Sequence, residues 1–191
     1  EITNNEYRQF TNWVRDSIAR SFLMKSDEPE LENYRTEILD AEGIGNGDYR
    51  INWNAQIRWD DPEVRRVLEE SKMYLGEGER LNGRREFDTR NYIYGYQILD
   101  LQAAAVKKNR ENIDGIPNRK SFLHEVEVSI FPDTLTWTHD YAYSFNDPYT
   151  QNYFHHEAFD DYPVVGINWK QAIAFTKWRS QMMNAFLRKI K

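Results

Sequence analysis

Glu1-Ile2-Thr3-Asn4-Asn5-Glu6-Tyr7 and, far along the chain, Pro163-Val164-Val165-Gly166-Ile167-Asn168-Trp169-Lys170-Gln171 are the two stretches on which the fold turns. In the first, Thr3 and Glu6 stand three apart. At that spacing a hydroxyl accepts from the backbone N–H three residues on, while the acid reaches back to the N–H of the capping residue. A helix therefore starts here, and Tyr7, Phe10, Val14 and Ile18, with Trp13 beside them, mark one apolar face to about Phe22. In the second stretch, Pro163 to Ile167 reads as a short buried strand. Asn168 and Gln171 then repeat the cap at the start of a helix that runs basic to the C-terminus, with Trp169, Ala172, Phe175, Trp178 and Met182 on its apolar side. Both stripes read as core faces.

Between these helices the pattern is weaker. Acids dominate from Lys25 to Arg50, with Gly43, Gly45 and Gly47 in quick succession, so this stretch reads as a solvated loop with at most a short helical piece around Leu31 to Ile38. Asp61 ahead of Pro62 is an N-cap before a first-turn proline, and Val64, Val67, Leu68 and Leu75 line the helix that follows. Gly76 to Arg90 reads as polar loop. Tyr92, Tyr94 and Tyr96 alternate as in a strand, and Asp100 caps a short helix through Ala105 that ends among Lys107, Lys108 and Arg110. Val126, Val128 and Ile130 alternate with acids in a second strand, for which Thr134 to Thr138 is the expected partner across a Pro132-Asp133 turn. From His139 to Tyr162 aromatics crowd an irregular but ordered backbone, where they either form a ligand platform or fill a core short of aliphatics.

Composition narrows the function. The chain has 191 residues, a net charge of −6 and no cysteine. Leu, Ile, Val and Phe make up only about 22% of it, but 6 Trp, 12 Tyr and 10 Phe bury enough surface for one folded domain. No apolar run approaches the roughly 20 residues of a spanning helix. No dense Lys/Arg stripe suits nucleic acid. Disulfides, thiolate metal sites and a cysteine nucleophile are excluded within these residues. The loop spacing of a calcium site is missing, as are the G-x-S-x-G, P-loop, G-x-G-x-x-G and H-E-x-x-H motifs. The adjacent His155 and His156 point apart in either a strand or a helix, so they cannot chelate without a distant third ligand. No cofactor is read from the sequence. Without an initiator Met or a signal peptide at Glu1, the chain is expected to be a fragment.

The first stretch is similar to E-V/I-T-N-x-x-Y/F, and the second, with Ala172, Ala174 and Trp178, to P-V-V-x-V-S-W-x-x-A-x-x-Y/F-x-x-W. Both are signatures of the formylglycine-generating (sulfatase-modifying factor) domain. Asn168 replaces its usual Ser, Gln171 its usual acid, and Thr176 a frequent Cys. The resemblance covers about 30 residues and implies an α+β fold of that class, related to C-type lectins. It further implies a single truncated domain over residues 1–191, with a family-specific insertion at about 25–161 and the two capped helices, near the start and the end, docked together against short, mostly antiparallel strands. Trp13 to Arg20, Phe131 to Trp137 and Asn152 to Pro163 further resemble the GldK/PorK lipoproteins of Bacteroidota. That resemblance implies a non-catalytic scaffold of the type IX secretion and gliding-motility apparatus. Such a scaffold is lipid-anchored on the periplasmic face of the outer membrane and forms a ring with a GldN/PorN-type partner. The positions at which catalytic members carry their cysteine pair would lie beyond Lys191, so no catalytic residue carries over.

Tyr149, Tyr153, Phe154, His155 and His156 are the candidate interface residues, with the acidic stretch 25–50 as a second candidate surface. The alternatives are an oxidase of the formylglycine-generating type whose reactive half lies outside this chain, and a carbohydrate-binding module using the exposed rings.

Overall fold

Thr3 caps the first helix as its spacing dictates: its hydroxyl accepts from the Glu6 N–H at 3.2 Å and the Glu6 carboxylate accepts from the Thr3 N–H at 3.1 Å. The computed structural model describes residues 1–39, 45–106, 119–139, 143 and 145–190, and shows a mixed helix and sheet fold with two small antiparallel sheets. The elements are α1 (Asn4–Lys25), β1 (Arg35–Leu39), β2 (Gly45–Ile51), α2 (Pro62–Glu70), β3 (Ile93–Leu99), α3 (Leu101–Ala105), β4 (Leu123–Ser129), α4 (Thr136–His139), α5 (Asp147–Asn152) and α6 (Trp169–Ile190), with short 3-10 turns between them. The chain divides into two compact units, residues 1–92 with 151–164, and residues 93–150 with 165–191.

In the first unit α1 buries Tyr7, Phe10 and Val14 as expected, and its last turns carry Ala19 and Leu23 into a cluster with Leu31, Tyr34, Val64, Val67, Leu68, Met73 and Tyr74. Residues expected to form an insertion therefore build this core together with α1. Lys25 to Arg50 is corrected by the structure: a 3-10 turn at Pro29–Tyr34 is followed by the β1–β2 hairpin, with Arg35 paired to Ile51 and Glu37 to Tyr49. The hairpin is held by backbone pairing and by Arg35 stacked 4.8 Å from the Tyr49 ring, not by a buried face, so no alternation announces it. Asp61 caps α2 through the Glu63 N–H at 3.0 Å. The helix stops at Glu70 because Lys72 adopts φ 56°, and Met73 and Tyr74 reach the core instead of Leu75.

In the second unit β3 pairs with β4 in the register Tyr94 to Val128 and Tyr96 to Val126, which puts the tyrosines and valines on one face as their alternation requires. Asp100 caps α3 through the Ala103 N–H at 2.9 Å, and the Lys107 to Arg110 cluster expected at its end lies outside the described residues. Thr134 to Thr138 is not a strand. Asp133 accepts from the Leu135 N–H at 3.0 Å and offers its carbonyl to the Thr136 hydroxyl at 2.9 Å, local bonds that wind α4 and outweigh the β-preference of the threonines. Pro163 to Ile167 is not a buried strand either. It makes one isolated bridge, Thr3 to Pro163, and its residues are only partly covered. At Gly166, φ is 77° and an added Cβ would fall 2.1 Å from the Asp133 carbonyl oxygen, so only glycine fits.

Candidate functional site

The first turn of a helix leaves backbone donors without intrahelical partners. In α1 the segment 151–164 supplies acceptors for two of them: Asn4 N–H donates to the Tyr162 carbonyl at 2.9 Å and Asn5 N–H to that of Asp160 at 3.1 Å. The buried Asn4 side chain extends the seam, its amide donating to the carbonyls of Tyr153 at 3.2 Å and Phe159 at 2.9 Å. One turn on, the Arg8 guanidinium donates to the carbonyls of Phe154 at 3.1 Å and His155 at 2.8 Å and pairs with the Asp160 carboxylate. The Tyr153 hydroxyl donates to the Pro163 carbonyl at 2.7 Å. The Phe154 ring meets Tyr7 edge-on at 6.2 Å. Burial raises the phenols of Tyr7 and Tyr153 above their ordinary value.

This seam changes the meaning of the candidate interface. Tyr153 and Phe154 are 8% and 4% exposed, and their carbonyls, with the Phe154 ring, hold the segment to α1, so neither side chain offers surface to a neighbour. His155 and His156 keep exposed surface. Desolvation, with the Arg8 charge adding to it, holds His155 below the ordinary imidazole value. His156 accepts from the Ala158 N–H at 3.1 Å through Nδ1, which caps the 3-10 turn at Glu157–Phe159. The His156 imidazole is thus engaged in a local cap, and among the described residues no group of three or more His, Cys, Asp and Glu could hold a metal ion. Tyr149 belongs to the second unit, where its half-exposed ring packs 5.2 Å from Trp137.

In that second unit α6 opens on the cap expected of it. Gln171 N–H donates to the Asn168 side-chain oxygen at 3.0 Å, and Asn168 N–H to Gln171 Oε1 at 2.8 Å. Gln171 is also buried, and its amide donates to the carbonyls of Ser129 at 3.0 Å and Phe131 at 2.9 Å, tying the helix to the end of β4. Ala174, Phe175 and Trp178 complete the buried face, while Trp169, expected there, is 78% exposed, because Gln171 takes the inward position in the first turn. Near its far end α6 carries Met183, Phe186, Leu187 and Ile190, all between 49% and 66% exposed. Their spacing of three, four and seven puts them on one side of the helix. The helix has five cations, Lys170, Lys177, Arg179, Arg188 and Lys189, and no acid. Sequence reasoning missed this stripe, although the spacing was there to be read.

Among the described residues no helix is long and apolar enough to cross a membrane. The chain matches no protein-family model, and comparison with curated proteins and with solved structures finds no match.

Proposed function

We propose that this chain is a non-catalytic structural subunit that works by binding other proteins, with the apolar, basic end of α6 as a principal contact. One observation carries the reading: four large apolar side chains at helical spacing stand exposed on a helix without a single acid. Exposed apolar patches of this kind mark interaction sites. The finer assignment rests on the sequence resemblance. It gives a formylglycine-generating-type fold and a place in the type IX secretion and gliding-motility apparatus. There the protein is lipid-anchored at the periplasmic face of the outer membrane and assembles a ring with a GldN/PorN-type partner. The two capping boxes that begin α1 and α6, and the buried Tyr7, Ala174 and Trp178, are parts of that signature with a physical role in the fold.

The reading is tested by co-purification of the full chain with a GldN/PorN-type protein. Wild type is expected to retain the partner, and F186S/L187S, which alters only exposed positions, to lose it with an unchanged circular dichroism spectrum. Equal retention by wild type and variant overturns the assignment of α6, and no retention by wild type overturns the assignment of the partner.

A further inference from the structure

The first unit contains a cavity of 340 Å³ lined by Arg15, Trp59, Arg65, Tyr74, Arg85 and Phe87, a site unrelated to the surfaces above. Tyr74 and Phe87, joined by an isolated antiparallel bridge, stack with ring centres 4.8 Å apart, and Trp59 meets Phe87 edge-on at 5.3 Å. The Arg15 guanidinium lies 5.1 Å from the Trp59 ring centre and 5.5 Å from that of Phe87, and the Arg85 guanidinium lies 5.7 Å from Tyr74. Stacking of this kind orients a guanidinium while leaving in-plane N–H groups for an oxyanion.

The charges around the cavity do not balance. Arg15 pairs with Asp16 at 2.8 Å, and Arg85 shares Glu69 with Arg80, at 3.2 and 2.6 Å. Arg65 donates through Nε to the Trp59 carbonyl at 2.8 Å, and no ion pair joins it to a described carboxylate. Four guanidiniums therefore meet two carboxylates, a local surplus of two positive charges in a chain of net charge −6. A phosphate monoester carries about −1.5 to −2 at neutral pH, which matches that surplus. The volume falls at the lower end of the roughly 300–1,000 Å³ typical of small-molecule sites.

We propose that this cavity binds a phosphate monoester with a flat organic body, the phosphate held by Arg65 together with Arg15 and Arg85, and the body against the Trp59 and Phe87 rings. Calorimetric titration of the full chain with phenyl phosphate tests it. Inorganic phosphate serves as the head group alone, phenol as the body alone, and benzoate as a singly charged counterpart, all at one ionic strength. Phenyl phosphate is expected to bind saturably at one site, about tenfold or more tightly than each of the other three, and R65Q to weaken it about tenfold. Absence of saturable binding, binding of phenol or inorganic phosphate as tight as that of phenyl phosphate, or unaltered binding by R65Q overturns the proposal. Equal binding of benzoate overturns the assignment to a phosphate. If R65Q alters the circular dichroism spectrum, R85Q carries the same test, since Arg80 still pairs with Glu69 in its absence.

Discussion

Gln171→Glu replaces one amide NH2 by an oxygen at the junction of α6 and β4 and separates two roles that a single side chain holds. The introduced carboxylate still accepts from Asn168 N–H, now 2.8 Å from Oε1, so the cap survives. It cannot donate, so the carbonyls of Ser129 and Phe131 lose partners at 3.0 and 2.9 Å and face a negative charge instead. Two neutral hydrogen bonds are worth about 1–3 kcal/mol together, and setting a buried carboxylate against two part-buried carbonyl oxygens adds to that, so a loss of about 3 kcal/mol at pH 7 follows. With a urea dependence of about 2 kcal/mol/M, the midpoint followed by far-ultraviolet circular dichroism falls by about 1.5 M. The deficit also depends on pH. A buried carboxyl against carbonyl oxygens keeps its proton to a higher pH in the folded chain than its ordinary value of about 4.3. Between those two values the unfolded chain has released the proton and the folded chain has not, so stability falls as pH rises through the window. The difference between Q171E and wild type is therefore smallest near pH 4 and largest at pH 7. Equal midpoints at pH 7, or a deficit that does not change with pH, refutes the donor role of Gln171.

Other consequences are equally open to measurement. Gly166→Ala forces a Cβ toward the Asp133 carbonyl at φ 77° and costs about 2–4 kcal/mol from left-handed strain plus overpacking, read by urea titration; a neutral effect contradicts the close approach. Tyr153→Phe removes the bond to the Pro163 carbonyl and lowers stability by about 1 kcal/mol, while Phe154→Ala costs about 3 kcal/mol, both in the same assay. Wild-type stability after Phe154→Ala would return that residue to the surface. Arg80 holds the Glu69 carboxyl below its ordinary range, and Arg90 does the same for Glu79 and Asp88. These depressed carboxyls contribute stability above the ordinary carboxylate range and lose it as pH falls through their folded values, so the thermal midpoint drops below about pH 4. R90Q flattens that drop, and an unchanged acid profile in R90Q contradicts the pairing.

What could be read from the sequence was whatever local chemistry decides. Thr3 with Glu6, Asp61 with Pro62, Asp100 and Asn168 with Gln171 announce helix starts because a cap needs only residues within four positions. The alternation of Tyr94 and Tyr96 and of Val126 and Val128 announces strands because one face of that sheet is covered, although Tyr92, read with them, precedes the strand. The β1–β2 hairpin stayed hidden because it buries little on either face, and acids and glycines mask its backbone pairing. The roles of Tyr153 and Phe154 stayed hidden for a different reason. Aromatic crowding in that segment was plain, but the donors that bind its carbonyls, Asn4 and Arg8, lie some 150 positions away, and no local pattern encodes them. The stripe of Met183, Phe186, Leu187 and Ile190 has the period of a core face, and only its exposure in the folded chain distinguishes it from one.

Sedimentation velocity of the full chain mixed with a GldN/PorN-type protein tests the scaffold assignment most directly. A faster joint boundary that separates into two when F186S/L187S replaces wild type is the predicted result. Independent sedimentation of wild type and partner at micromolar concentrations would contradict it.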